Sequence, residues 1–192
     1  MKVIERLPEK SLADTIRIWR NALRLLDDSN KAKRRDARKL LEAIKAEWIR
    51  RSEEPISAEE AFSFPTTDAA VGFGTLDASG WQSEGEISYM GYRVGNTAGE
   101  PTHIRKNNLD QIFTGPIPPA FPTTHLAEWG EPETLLRLKK LAETIASLTR
   151  NAKRDTTNKK DAAIRDWESD LDYIYNRYYS GKYYFIWPLT TE

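Results

Sequence analysis

Two apolar stripes at helical spacing, on expected helices with only four residues between them, constrain this chain more than any other feature. Ile16, Trp19, Leu23 and Leu26 share one face of the first stretch, and Ala37, Leu40, Leu41, Ile44 and Trp48 share one face of the second. Ser11 followed by Asp14 reads as a capping box that opens the first helix. Asp27-Asp28-Ser29-Asn30 breaks it, and a second helix follows over Lys31 to Arg51. So short a connection makes the two helices antiparallel neighbours. The pair cannot bury both faces of Trp19 and Trp48 alone, so it is expected to pack on the rest of the chain.

The last third repeats this form with different residues. Pro132 suits a first helical turn, and Leu138, Leu141, Ala142, Ile145 and Leu148 make a stripe that runs to Lys153. Asn158 with Asp161 is expected to cap another helix. There Ile164, Trp167, Leu171, Ile174 and Tyr178 step by alternating threes and fours, as in a coiled-coil seam. An aromatic tail, Tyr183 to Pro188, is expected to tuck onto the bundle. The middle is irregular. Ser57 with Glu60 opens a short helix ending by Pro65, and the stretch from Val71 to Gly85 reads as loop with at most a short strand. Ile87, Met90 and Val94 fit a helix stopped at Gly95, although Tyr92 and Val94 also fit a strand. A further helix after Pro101 carries Ile104, Leu109, Ile112 and Phe113, and Gly115 to Pro122 reads as extended backbone.

The expected fold is therefore mainly α: an N-terminal helical hairpin (1–55) packed with a C-terminal helical hairpin and aromatic tail (131–192). Between them lies an acidic Gly/Pro-rich middle (56–130) with short helices and at most a short strand pair, the whole forming one compact unit. A chain of 192 residues with six Trp, eight Tyr and six Phe can bury such a core without a staple. The absence of Cys excludes disulfides, thiolate metal sites and thiol catalysis. No apolar run approaches the roughly 20 residues of a membrane span, and Met1 to Lys10 is too polar for a signal peptide. A cytoplasmic location without membrane association is expected.

Net charge is zero, but it is unevenly distributed. Residues 1–55 carry 15 Lys/Arg against 10 Asp/Glu, 56–135 carry 3 against 11, and 136–192 carry 11 against 8. Basic ends flank an acidic middle. One reading has the ends folding against the middle so that their fields cancel; the other has them meeting phosphates. No phosphate-binding loop, dinucleotide fingerprint or nucleophile elbow is present. His103 and His125 lack metal-ligand spacing, and no cofactor is implied. Asp166, Glu168, Asp170 and Asp172 straddle the Trp167/Leu171 seam, two on each side. They resemble flanking charges that pair with a neighbouring helix, for which the Arg and Lys of the N-terminal hairpin are candidates.

Three basic groups remain as candidate binding residues. Lys31, Lys33, Arg34, Arg35 and Arg38 start the second helix, where cations oppose the helix dipole unless an anion compensates. Arg93, His103, Arg105 and Lys106 lie between two short helices. Arg150, Lys153 and Arg154 lie at a helix C-terminus, where the dipole already welcomes them. Trp81, Tyr89, Tyr92 and Trp129 are candidates for lining a groove, and base stacking is possible there.

Several motifs resemble a family of small bacterial proteins to which no activity, cofactor or catalytic residue is assigned. They are Tyr89-Met-Gly-Tyr-Arg-Val-Gly95, Trp129-Gly-Glu-Pro132, Arg137-Leu138, Arg150-Asn-Ala-Lys-Arg154, Trp167-Glu-Ser-Asp-Leu171 and Phe185-Ile-Trp-Pro188, with Trp19-Arg-Asn-Ala22 in the first hairpin. The resemblance covers most of the chain and implies bacterial origin and a self-contained protein. Three functional readings follow from the residues. The first is a non-catalytic protein binding DNA or RNA through the basic groups. The second is a protein–protein adaptor of a bacterial assembly, in a defence or mobile-element system, with a partner or second copy on the Trp167/Leu171 seam. The third is an enzyme using carboxylates such as Asp68, Asp77 or Glu84.

Overall fold

The computed structural model describes residues 2–53, 85–121, 123–154 and 159–191. The expected Ser57–Glu60 cap, the loop from Val71 to Glu84 and Asn158 lie outside the described residues. A short α1 (Lys2–Glu5) is followed by α2 (Leu12–Arg24) and α3 (Lys31–Ser52), and these last two form the first hairpin. Ser11 starts α2 as expected: its hydroxyl accepts from the Asp14 N–H at 3.1 Å. The stripe residues Ile16, Trp19, Leu23, Leu41, Ile44 and Trp48 are buried, and the two indole rings meet with centroids 4.7 Å apart. The Trp48 indole N–H donates to Thr15 Oγ1 at 3.0 Å, and Thr15 donates in turn to Leu12 O. A buried polar group is thereby satisfied inside the hairpin.

The middle contributes α4 (Glu86–Tyr89), α5 (Thr102–Thr114) and α6 (Thr123–Trp129). The helix expected to run to Gly95 is a single turn. It ends at Gly91, whose φ is 103°, with Gly91 N–H bonded to Ser88 O and Tyr92 N–H to Ile87 O, both at 2.9 Å. Those two bonds make a Schellman stop four residues earlier than the spacing suggested. A Cβ on Gly91 would lie 3.0 Å from Arg20 Cγ and 3.2 Å from Asn108 Nδ2, so this turn also needs the missing side chain for space. No strand occurs among the described residues. α6 lies next to a stretch read as extended, and its purpose is packing: it buries Trp129.

The second hairpin is α7 (Leu135–Lys153) and α8 (Asp161–Ile174). α7 starts three residues after Pro132, because Thr134 is its N-cap and accepts from the Arg137 N–H. α5 packs on α2 of the first hairpin and on α7 and α8 of the second, so one buried cluster runs through both. Leu171 and Ile174 of the α8 seam are buried in that cluster, and Trp167 packs against it half-buried. Beyond the wider turn Tyr175–Tyr179, the tail lays Phe185 and Trp187 on Tyr179, each ring pair 4.8 Å apart. Alternation along extended chain turns Tyr184 and Ile186 outward.

An ionic clasp closes the open end of the first hairpin. Glu47 accepts from Arg50 (2.8 and 3.0 Å) and from Arg51 (2.7 Å), while Arg51 also donates to Leu7 O and Lys10 O. The Arg50 hydrogen bonds, against the opposing effect of burial and with help from Arg51, hold the Glu47 carboxyl below its ordinary 4.5. A depressed acid stabilises the fold above its unfolded value and loses that contribution as pH falls through the folded one. Glu47→Gln is therefore expected to cost about 1–2 kcal/mol at neutral pH. The gap to wild type should close in acid, read as urea midpoints at the two conditions.

Candidate functional site: an arginine-lined cleft

Arg17, Arg20 and Arg24 occupy positions i, i+3 and i+7 of α2. At about 100° per residue they fall within about 60° of one another on the helix surface. That face flanks the Trp19 stripe, centred roughly 100° around the helix from it. Opposite it runs the loop from Tyr92 to Glu100, closed by a hydrogen bond from Glu100 N–H to Arg93 O at 3.0 Å. Together α2 and the loop enclose a cleft of about 370 Å³, lined by Arg17, Arg20, Asn21, Arg24, Gly91, Arg93, Ala98 and Glu100. Among the described residues, four arginines and one carboxylate thus line a concave surface.

Each arginine is positioned differently. Arg20 donates to Tyr89 O through Nε (3.1 Å) and Nη2 (2.5 Å), satisfying carbonyls at the C-terminus of α4 and fixing that turn against α2. Arg17 reaches Asp14 at 2.7 Å on the exposed rim. Arg24 forks onto Glu100: Nε lies 3.5 Å from Oε2, and Nη2 contacts Oε1. The hydrogen bond that Arg24 donates to Glu100 raises its pKa, against the opposing effect of burial. Arg93 enters half-buried from the loop.

The loop stands on a buried ionic network. Arg105 (4% exposed) donates to Asp170 (0% exposed) through Nε at 2.7 Å, contacts Asp166 at 3.1 Å, and donates to Glu100 O at 3.0 Å. Tyr92 Oη donates to Asp170 Oδ2 at 2.8 Å, and Gly95 N–H to Asp166 Oδ2 at 2.9 Å. Burial pushes the Tyr92 phenol well up, and Asp170 reinforces it. Burial also raises the Asp170 carboxyl, while the bonds from Arg105 and Tyr92 pull it back. Two loop ends are thereby fixed to α5 and α8.

Of the residues picked from sequence, only Arg93 lines this cleft. Arg105 is inside the protein, paired, and has no charge to offer a ligand. Lys106 sits 4.8 Å over the Tyr173 ring, and His103 is exposed on the first turn of α5. Lys153 pairs with Glu168 at 2.6 Å, Arg150 donates to Leu189 O, and Arg154 is exposed at the end of α7. At the start of α3 the opposed dipole is compensated within the chain. The Asn30 side chain accepts from Ala32 N–H and Lys33 N–H, and Asp28 accepts from Asn30 N–H and Lys33. The Asn30 hydrogen bond, followed by that of Lys33, lowers the Asp28 carboxyl. Arg34 donates to Asp28 O (2.6 Å) and Ser29 O (3.0 Å), whereas Lys31, Arg35 and Arg38 stay exposed.

Other expectations are corrected by the packing. Tyr92 and Trp129 are buried and line no groove. Three carboxylates flanking the α8 seam, Asp166, Glu168 and Asp170, do pair with neighbouring helices, but with α5 (Arg105) and α7 (Lys153) rather than with the first hairpin. Sequence reading passed over Arg17, Arg20 and Arg24, although their common face was visible in the spacing.

Among the described residues no group of three or more His, Asp or Glu side chains is placed to hold a metal ion, and no helix is long and apolar enough to cross a membrane. His125 meets Glu86 and packs near Phe121. Asp68, Asp77, Trp81 and Glu84 lie outside the described residues. No family model, no curated protein and no solved structure matches the chain.

Proposed function

We propose that this chain is a non-catalytic binding protein whose ligand is a nucleic acid, held by its phosphates in the cleft between α2 and the 92–100 loop. One observation carries the reading: among the described residues, four arginines from two separate elements line a single concavity with one carboxylate. Arginine forks suit phosphate oxygens, and a concave site concentrates their field. Further cations lie at the neighbouring end of the hairpin, with Asp28 and Asp36 paired among them. α3 begins at the same end of the hairpin as Arg24, and its first turns present Lys31, Arg35 and Arg38 to solvent. A field longer than one phosphate favours a polyanion over a small anion.

Fluorescence anisotropy with labelled single-stranded and duplex DNA and RNA tests this. With three phosphates neutralised, affinity should fall roughly fortyfold for duplex DNA and about twentyfold for single strands between about 50 and about 200 mM salt. Arg17→Gln with Arg93→Gln should reduce the salt slope by about 2. No binding to any of these probes at low salt would end the proposal.

The adaptor reading keeps one observation of its own. Ile186 is 94% exposed on the tail, beside outward-facing Tyr184 and Leu189. Sedimentation over a concentration series, with Ile186→Asp compared against wild type, reads whether that face joins two copies.

A further inference from the structure

We propose that Glu100 is a built-in competitor for the ligand of this cleft: its carboxylate occupies the Arg24 fork that a phosphate would otherwise take. The inference rests on the reading of the cleft as a phosphate site and concerns its regulation.

Among the described residues lining the cleft, Glu100 is the only acidic one. Its carboxylate meets the Nε and Nη2 edge of Arg24, which is the edge a phosphate engages with two oxygens. Glu100 is the more enclosed partner, its side chain 15% exposed against 52% for Arg24. Its backbone is fixed on both sides, by its own N–H to Arg93 O and by Arg105 to its carbonyl. The carboxylate is therefore held in place by the loop, while the long, exposed Arg24 side chain can turn toward an incoming anion. The pair reaches from α2 to the loop, across 76 positions of sequence, so it does not support either helix hairpin internally.

Two consequences follow. In the resting protein the Arg24 charge is already met inside the cleft by Glu100. A ligand that draws Arg24 away leaves Glu100 facing Arg93 and Arg20, so binding is weaker than four arginines would give and selects ligands with closely spaced phosphates.

The test uses the full chain and a labelled single-stranded oligonucleotide, with inorganic pyrophosphate as unlabelled competitor. Glu100→Gln keeps both backbone bonds and removes the charge. It should tighten oligonucleotide binding about tenfold and steepen the salt slope by about 0.7, the increment for one more phosphate on a single strand. Arg24→Gln should cost more affinity in the Glu100→Gln background than in wild type, because only there is Arg24 released. Pyrophosphate should compete better against Glu100→Gln than against wild type. If wild type binds and Glu100→Gln leaves affinity and slope unchanged, the competitor role is wrong and the cleft reading stands. If neither wild type nor Glu100→Gln binds either probe at low salt, both fall together. Thermal melts of each variant show whether a change in binding reflects folding.

Discussion

Arg137→Met is expected to destabilise the protein by about 4 kcal/mol or more, a large part of the roughly 5–15 kcal/mol that holds a domain together. Arg137 is 3% exposed and has no carboxylate hydrogen-bonded to it. All of its bonds go to backbone carbonyls. Nη1 donates to Ile112 O and Gly115 O, both at 2.8 Å, Nε to Trp129 O and Gly130 O, and Nη2 to Gly130 O at 2.6 Å. These carbonyls lie at the C-terminal ends of α5 and α6. One cation therefore caps two helices where their dipoles favour positive charge. Burial draws its pKa down to about 10, opposed by Glu131, so it remains charged at neutral pH. Methionine fills a similar volume and donates nothing. Four carbonyls then lose their partner, at about 1–3 kcal/mol for each that stays dry. Arg137→Lys should recover only part, since an ammonium cannot span the two helix ends. Urea unfolding reads both variants, with exposed Lys139→Met as the control. A loss under about 1 kcal/mol for Arg137→Met would mean that water replaces the guanidinium at those carbonyls.

Asp170→Leu is expected to cost about 3–5 kcal/mol, because it leaves Arg105 buried with only the half-exposed Asp166 beside it. Tyr92 loses its acceptor in the same change. Replacing both partners, Asp170→Leu with Arg105→Met, should be less damaging than the sum of the single changes. A double-mutant cycle should give a coupling above about 1 kcal/mol. The functional consequence is distinct from the stability loss. Arg105 and Asp166 hold Glu100 O and Gly95 N–H, so the loop that brings Arg93 and Glu100 to the cleft stands on this network. Asp170→Asn, which keeps an oxygen acceptor, is expected to fold better and still loosen the loop. That would appear as faster hydrogen exchange across residues 93–100 without matching loss in the Trp19/Trp48 hairpin.

Much of the architecture was legible before any coordinates. The Ser11 cap, the Trp19 and Trp48 stripes, the break at Asp27 to Asn30 and the α7 stripe are local signals, and each depends on residues within one or two helical turns. Leu148 shows the limit of that reading: it sits on the periodic stripe of α7 yet is 37% exposed, because the neighbours that would cover it are not encoded in spacing. α4 stops at Gly91 rather than at Gly95 for a similar reason. Both have positive φ, but the close approach of Arg20 and Asn108 to Gly91 comes from other elements.

The binding residues were harder to read than the fold. Charge runs such as Lys31 to Arg38 attract notice because they are contiguous, yet at the start of α3 nearby Asp28 and Asn30 compensate the opposed dipole, and Arg34 caps carbonyls of the preceding turn. Arg105 looked like Lys106 in the sequence, and burial beside Asp170 made them different. The amino-acid sequence by itself determined the long helices α2, α3, α5, α7 and α8 and most of the faces they bury, since periodicity and capping act over a few residues. Tertiary structure alone decided which cations sit inside, which are paired and which share a cleft. Those outcomes depend on contacts between residues as distant as Arg24 and Glu100, and no local pattern records them.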